Sequence, residues 1–320
     1  MTVTATTLRQ SVRWQDLPLA VGAAAGTLNL RVGSVGQGKP VVTVTAGVHG
    51  DEGPWSARAI HQLLERTSLT DLIGTLRVVP VSNPLAMEAD ARCAPLDVLD
   101  LNRVFPGNPN GSHTERLAAL LAEHAVEGAG VLIDLHGGGS WCVNAFVFRN
   151  AEAPEIADAF DAPFVVDQAS RATAMRSMGI SGHAKSLGAK TTSVEFGGRS
   201  PDEARWAEHL AIGLRRALAV CGVLKPDPSL PAPKHAAILV KPTRVLRPSR
   251  GGLLIPAVDH TRIGTLVEEG TLLGTLVDPV TFEVQEEFRA PYARTALLLL
   301  RPTMSRLEGG AMTYVVSEPA

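Results

Sequence analysis

The sequence has few cysteines and no excess charge of either sign. Its 320 residues include three cysteines, and none of them has Cys-x-x-Cys spacing, which argues against a disulfide framework or a thiolate zinc site and favours a reducing compartment. The 30 Lys and Arg residues nearly balance the 32 Asp and Glu residues, and they form no basic run. We therefore expect no nucleic-acid partner and no binding to an anionic membrane surface.

Long apolar runs are also missing from the sequence. No stretch approaches the roughly 18 to 20 consecutive apolar residues of a membrane helix. The most signal-like segment, Leu17 to Gly26, is short and continues into alternating residues, which predicts an early strand. We therefore expect a cytoplasmic protein without a membrane partner. The 45% hydrophobic and 19% charged residues are typical of a globular chain, and its length indicates two domains at about 150 residues each.

Between residues 28 and 222, short β-branched runs alternate with helical patterns, which predicts an α/β sheet with helices on its faces. A helix is expected over Pro54 to Arg66, and a second should start at the capping box of Ser112 and Glu115. A third is expected from Trp206 to Cys221. The predicted strands are Val41 to Ala46, Leu76 to Val81, Val131 to Leu135 and Thr191 to Phe196.

The pattern changes at Lys225 to Lys234, where four prolines predict a linker. Beyond it, Val245 to Val316 has short apolar runs separated by glycines and no helical period, which predicts a small all-β domain. We therefore expect an α/β domain over residues 1–225 and a C-terminal β domain over residues 235–320.

Unusual polar residues follow three of the predicted strands. His49 and Glu52 follow the first, His136 follows a second, and Glu195 ends a third, each of the three groups beside glycine. Sites in open α/β sheets lie beyond the carboxyl ends of the strands, and His, Glu and His form a catalytic zinc donor set that leaves a position for water. Singly, each histidine is better explained as a surface or hydrogen-bonded core residue; together the four residues favour a site.

Asn102 and Arg103 lie in a segment that ends in a turn. A guanidinium clamps a carboxylate through two hydrogen bonds, and a neighbouring amide supplies another donor. Arg92 lies upstream in a loop. Either arginine could instead be a solvated surface charge, which for Arg92 alone is the better explanation.

Four short motifs follow one another along the first part of the chain. They are His49-Gly50-Asp51-Glu52, Asp100-Leu101-Asn102-Arg103 with Phe105-Pro106-Gly107, Asp134-Leu135-His136, and Glu195-Phe196-Gly197-Gly198. In this order they resemble the motifs of the succinylglutamate desuccinylase and aspartoacylase family, a branch of the zinc-carboxypeptidase-like amidohydrolases. The resemblance spans most of the first 222 residues, and it implies a mixed sheet flanked by helices with a C-terminal domain of barrel-sandwich type.

The resemblance also implies a set of roles. One Zn²⁺ per chain would be bound by His49, Glu52 and His136, with Glu195 as general base and acid. Asn102 and Arg103 would hold the substrate carboxylate, and Arg92 would help to polarise the scissile carbonyl.

We therefore expect a zinc-dependent hydrolase of a small N-acyl amino acid, similar to the branch that includes the N-acetyl-diaminobutyrate deacetylases. A carboxypeptidase acting on peptides and a non-catalytic protein that binds a metal or small acid are the alternatives. The β domain is expected either to restrict access to the site or to mediate self-association. The sequence leaves open whether the protein forms a homo-oligomer.

Four basic residues between His136 and Glu195 match no specificity position of the family. They are Arg171, Arg176, His183 and Lys185.

Overall fold

The computed structural model describes residues 6–21, 26–167, 178–199, 202–234 and 236–320. Within these ranges the chain forms two β-sheets, with helices on both faces of the larger one. The strands are β1 (Arg13–Ala20), β2 (Thr27–Gly36), β3 (Val41–Ala46), β4 (Thr75–Val79), β5 (Val131–His136), β6 (Val143–Arg149), β7 (Phe164–Asp167), β8 (Lys190–Gly197), β9 (Ile238–Val240), β10 (Arg244–Leu246), β11 (Gly252–Pro256), β12 (Leu266–Glu268), β13 (Leu272–Val277), β14 (Val284–Arg289), β15 (Arg294–Leu300), β16 (Ser305–Leu307) and β17 (Tyr314–Ser317).

The helices divide between the two faces of the large sheet. The α-helices are α1 (Leu8–Ser11), α2 (Gly53–Arg66), α3 (Pro84–Glu88), α4 (His113–Leu121), α5 (Pro154–Asp158), α6 (Ile180–Ser186) and α7 (Glu203–Val220). Helices α2 and α7 pack on one face against Val44 and Ile133, whereas α4 and α6 cover the other face against Leu132. This division follows from the strand period, because successive side chains of a strand point to opposite faces.

Four parallel strands, β4, β3, β5 and β8, form the centre of the large sheet. Their bounds lie within two residues of the predicted strands. The register places Ala46 opposite Leu135 and His136 opposite Glu195. The carboxyl ends of β3, β5 and β8 therefore meet at one edge of the sheet.

Three predicted helices are also present with nearly the expected bounds. Ser112 and Glu115 make the capping box in both directions at the start of α4, which satisfies two backbone N–H groups at that end. The early strand differs from its prediction, because β1 covers Arg13–Ala20 and residues 22–25 lie outside the described part of the chain.

The C-terminal strands are divided between the two sheets. Strands β11, β13, β14 and β16 form an antiparallel four-stranded sheet of their own. Strand β15 instead pairs with β6 of the large sheet, through Leu299 opposite Asn144, and β17 and β10 follow beside it. The large sheet therefore continues from the parallel centre into the C-terminal part of the chain. Among the described helices, none has the length and apolar character to cross a membrane.

Candidate active site

Two histidines and a glutamate converge where β3 and β5 end. His49 precedes a 3₁₀ turn over Gly50–Glu52, and His136 is the last residue of β5. The Nδ1 atom of His49 lies 2.8 Å from Glu52 Oε1, and that of His136 lies 2.9 Å from Glu52 Oε2. All three side chains are buried, and one ligand atom from each lies within 4.8 Å of the others. The group could therefore hold a metal ion, as the sequence predicts.

A second carboxylate contacts the far nitrogen of each histidine. His49 Nε2 lies 3.2 Å from Asp100 Oδ1, and His136 Nε2 lies 2.7 Å from Asp134 Oδ2. Such contacts fix the ring orientation and the tautomer, so that Nδ1 is the atom presented to a metal. Both aspartates lie in the motifs identified above, but they were given no role there. Asp134 and His136 are two residues apart on a strand and therefore share a face, so the sequence could have revealed the contact between them.

The charges of Glu52, His49 and His136 shift one another's pKa values. Burial alone would raise the pKa of Glu52, but the charge of His49 and a hydrogen bond with His136 outweigh it and hold that pKa well below its usual range. Burial lowers the pKa of each histidine, whereas the neighbouring carboxylates raise it, and the net direction is upward for both. A metal ion would therefore have to displace protons from this cluster when it binds.

Glycines let the loop after His136 pass close to the turn that bears Glu52. The backbone N–H of Gly137 donates to Glu52 Oε2 at 3.2 Å. Gly139 has φ 65°, and a Cβ there would come against the Oδ2 atom of Asp51. The same Asp51 oxygen accepts from the backbone N–H of Ser140. The positive φ favours glycine at position 139, and the absence of a side chain there leaves room for the Asp51 carboxylate.

Glu195 lies on β8 opposite His136 and lines the same cavity. Its Oε2 accepts a hydrogen bond of 2.9 Å from Nδ2 of Asn144 on the neighbouring strand β6. Glu195 is half-buried and lies near the end of β8, the strand predicted to end there. Asn144 was missed, because nothing in its local sequence shows that β6 pairs with β8.

Arg92 reaches the metal-ligand cluster from its loop. Its guanidinium lies 3.3 Å from Glu52 Oε1 and 2.9 Å from Asp100 Oδ2. The Arg92 side chain is 43% exposed, and these two contacts direct its guanidinium towards the candidate metal ligands. Asn102 and Arg103 form a 3₁₀ turn and both line the cavity, with Asn102 Nδ2 3.4 Å from His136 Nε2.

The cavity has a volume of about 620 Å³ and is completed by the C-terminal strands. Val245, Arg247, Leu299 and Val315 line it together with the candidate metal ligands. Of the four basic residues without an assigned position, Lys185 lines the cavity, and His183 instead stacks near Phe105, with ring centroids 6.4 Å apart. Arg171 and Arg176 lie outside the described residues.

A comparison with protein-family models identifies a family to which this chain is similar. The model of the succinylglutamate desuccinylase/aspartoacylase catalytic domain matches residues 38–221, more than half of the chain. The chain belongs to this family. The matched region includes every candidate site residue named above, from His49 to Glu195.

Individual relatives agree with this membership. The N-alpha-acetyl-L-2,4-diaminobutyric acid deacetylase of Halomonas elongata is 35% identical over 161 residues. The match covers 47% of each protein, so it spans about half the length of that relative. A succinylglutamate desuccinylase structure from Silicibacter sp. TM1040 has a TM-score of 0.81 at 24% identity, over 100% of this chain and 98% of that one. The product-bound structure of the ectoine utilization protein EutE (DoeB) of Ruegeria pomeroyi has a TM-score of 0.80 at 25% identity. The match covers 96% of this chain and 94% of that one. These similarities support the mixed sheet and the C-terminal antiparallel sheet as features of the family fold.

Proposed function

We propose that this protein is a zinc-dependent amidohydrolase that cleaves a small N-acyl amino acid into an amino acid and a carboxylic acid. The observation that carries the proposal is the convergence of the His49, Glu52 and His136 ligand atoms within 4.8 Å, in a cavity that also contains Glu195. Membership of a deacylase family supports the reaction class.

The donor set fits zinc. Two imidazoles and one carboxylate are ligands typical of catalytic zinc, and such sites keep a position for water. The contacts of Asp100 and Asp134 with the outer nitrogens support the fit, because they orient both rings for metal binding. A bound zinc would supply the Lewis acidity that polarises the amide carbonyl and acidifies a water molecule.

The remaining roles are assigned to groups of this chain. Glu195 takes a proton from the attacking water and returns it to the leaving nitrogen, while the Asn144 amide holds its carboxylate. Arg92 faces the metal-ligand cluster and stabilises the negative charge that develops on the carbonyl oxygen. Asn102 and Arg103 bind the substrate carboxylate, which fixes the amide relative to Glu195.

The C-terminal part of the chain favours a small substrate over a peptide. Residues of β10, β15 and β17 line the cavity together with the candidate metal ligands, so they limit the room beside the site for a longer chain. This arrangement supports the expectation that the C-terminal part restricts access. A carboxypeptidase would use the same metal and carboxylate clamp but needs a cleft that accepts a longer chain.

A substrate panel tests the proposal. We expect the zinc-loaded protein to hydrolyse one or more members of a series of N-acetyl, N-succinyl and N-formyl amino acids. A matched peptide of four residues should have a kcat/KM at least about tenfold lower than the best N-acyl amino acid. Equal cleavage of the peptide would identify a carboxypeptidase. Binding of zinc without cleavage of any amide would identify a non-catalytic protein.

A further inference from the structure

Hydrogen bonds join three loops at the candidate active site. They are the turn that bears Glu52, the loop after β5 and the loop after β8. The Asp51 carboxylate in the turn accepts from the backbone N–H of Ser140 at 3.2 Å. The backbone N–H of Arg199, after β8, donates to the carbonyl oxygen of Gly139 at 2.9 Å. The loop after β5 is therefore tied to both of the other loops.

The loop that bears Arg92 follows α3 and contacts the same turn. Asp90 has φ 49°, in the left-handed region that aspartate and asparagine adopt more readily than most residues with a side chain. The carbonyl oxygen of the next residue, Ala91, accepts from the backbone N–H of Asp51 at 3.1 Å. Arg92 comes directly after this contact, so the direction of its side chain depends on how the loop is held.

The side chain of Arg199 connects this loop to the loop after β8. Its Nη1 and Nη2 atoms each donate to one carboxylate oxygen of Asp90, which is 109 positions away in the sequence and two residues before Arg92. Such a two-pronged contact fixes orientation as well as distance. Arg199 Nε also lies 3.9 Å from Glu203 Oε1. The hydrogen bonds from Arg199 lower the pKa of Asp90, which keeps its carboxylate charged at neutral pH.

We propose that Arg199 is a positioning residue that acts through Asp90 to keep the Arg92 guanidinium beside the candidate metal ligands; this inference rests on the proposed function. The Arg92 side chain is 43% exposed, so its loop and its two carboxylate contacts, rather than packing, set its position. A small displacement of a group that stabilises developing charge lowers kcat. Substrate binding should change little, because other residues are assigned to the substrate carboxylate.

The ion pair of Arg66 and Glu208 provides a matched control. Its atoms lie 2.7 Å apart, and it joins α2 to α7. Its side chains are 55% and 43% exposed, close to the 42% and 49% of Arg199 and Asp90. Neither residue of the control pair lines the cavity. Exposed pairs of this kind contribute little to stability, so only an effect on position should distinguish the two.

Steady-state kinetics of the zinc-loaded full-length protein tests the inference, with the best N-acyl amino acid of the substrate panel. We expect Arg199→Met to lower kcat about fivefold and Asp90→Asn about threefold, with KM and zinc content unchanged. Asparagine tolerates the left-handed φ, so Asp90→Asn removes the charge and keeps the turn. In an Arg92→Met background, neither change should lower kcat by more than about twofold. Arg66→Met should keep the parental kcat.

Hydrogen exchange measured by mass spectrometry follows the same loop without any substrate. The backbone N–H groups of Asp90 and Ala91 donate to Met87 and Ala86 at the end of α3. We expect the amides of residues 89–92 to exchange faster in Arg199→Met than in the parent or in Arg66→Met.

Three results would overturn the inference. They are unchanged exchange in Arg199→Met, a parental kcat in Arg199→Met and Asp90→Asn, and equal losses of kcat with and without Arg92, which would give Arg199 a role independent of Arg92. If Arg199→Met does not fold, Asp90→Asn decides by the same measurements. If exchange rises as expected but the parent cleaves no N-acyl amino acid, the proposed function fails and the hold of Arg199 on the loop stands.

Discussion

The two ends of the cavity are built differently. At the metal-ligand end, His49 and Glu52 come from one turn, and His136 follows the adjacent parallel strand. At the remote end, the wall combines Lys185 of α6 with residues of β10, β15 and β17, which are separated by long stretches of chain. At the first end, Asp100 and Asp134 contact the histidines and glycines pass close to the ligand turn, whereas the opposite wall includes the apolar residues Val245, Leu299 and Val315. The candidate metal ligands thus come from short local motifs, whereas the opposite wall is assembled from distant segments of the chain.

The largest effect should come from Glu195→Gln, which removes the proton acceptor and keeps the shape and the Asn144 neighbour. We expect kcat to fall by about a thousandfold with zinc content and unfolding temperature unchanged. Steady-state kinetics measures kcat of the variant and the parent, and elemental analysis measures their zinc content. Glu155→Gln, on the exposed side of α5, is the matched control and should keep parental activity. Near-parental activity of Glu195→Gln would refute the general-base role.

The next effect concerns the carboxylates behind the histidines. Asp134→Asn replaces the group that lies 2.7 Å from His136 Nε2, and we expect zinc affinity to fall about 10- to 100-fold. Competition with a chromophoric chelator measures this. Thr45→Val removes only the hydroxyl that donates to Asp134 Oδ1 at 2.7 Å, so its effect should be smaller. Equal affinity of Asp134→Asn and the parent would show that this contact does not tune the metal.

The metal-ligand end of the cavity could be predicted from the sequence, but the opposite wall could not. The central strands, α2, α4 and α7 could be predicted, because hydrophobic period and capping are local signals. Strand-end placement likewise indicated that His49, Glu52, His136 and Glu195 share a site. The pairing of β6 with β8 and β15 depends on contacts between distant segments, so neither Asn144 nor the wall residues could be identified. The contact of Arg92 with Glu52 likewise joins residues 40 positions apart in the sequence.

A smaller effect is expected at the carboxylate clamp. Arg103→Lys keeps the charge but loses the two-pronged contact, so KM should rise about tenfold with little change in kcat. Converting the substrate α-carboxylate to an amide should weaken the parent far more than this variant. Arg306→Lys, at an exposed position of β16, provides the control. Equal losses in parent and variant would count against direct contact.

The smallest effect is expected for a contact between the C-terminal part of the chain and the loop after His136. Arg301 lies over the Trp141 ring, with 3.7 Å from its Cζ to the ring centroid, and Trp141 lines the cavity. Arg301→Met should lower the free energy of unfolding by about 1 kcal/mol and change tryptophan fluorescence. Denaturant titration compares this variant with Arg306→Met, since Arg306 stacks on no aromatic ring among the described residues. Identical curves for both variants would show that the stacked pair does not couple the C-terminal strands to the loop after His136.

The metal content of the purified protein tests the central claim most directly. Elemental analysis of protein purified without added metal should find one zinc per chain in the parent and in Glu195→Gln. His49→Ala and His136→Ala, each checked for retained fold by circular dichroism, should lose most of this zinc, because two remaining ligands bind it weakly. If the folded histidine variants hold as much zinc as the parent, or the parent binds none when zinc is supplied, the assignment of His49, Glu52 and His136 is wrong.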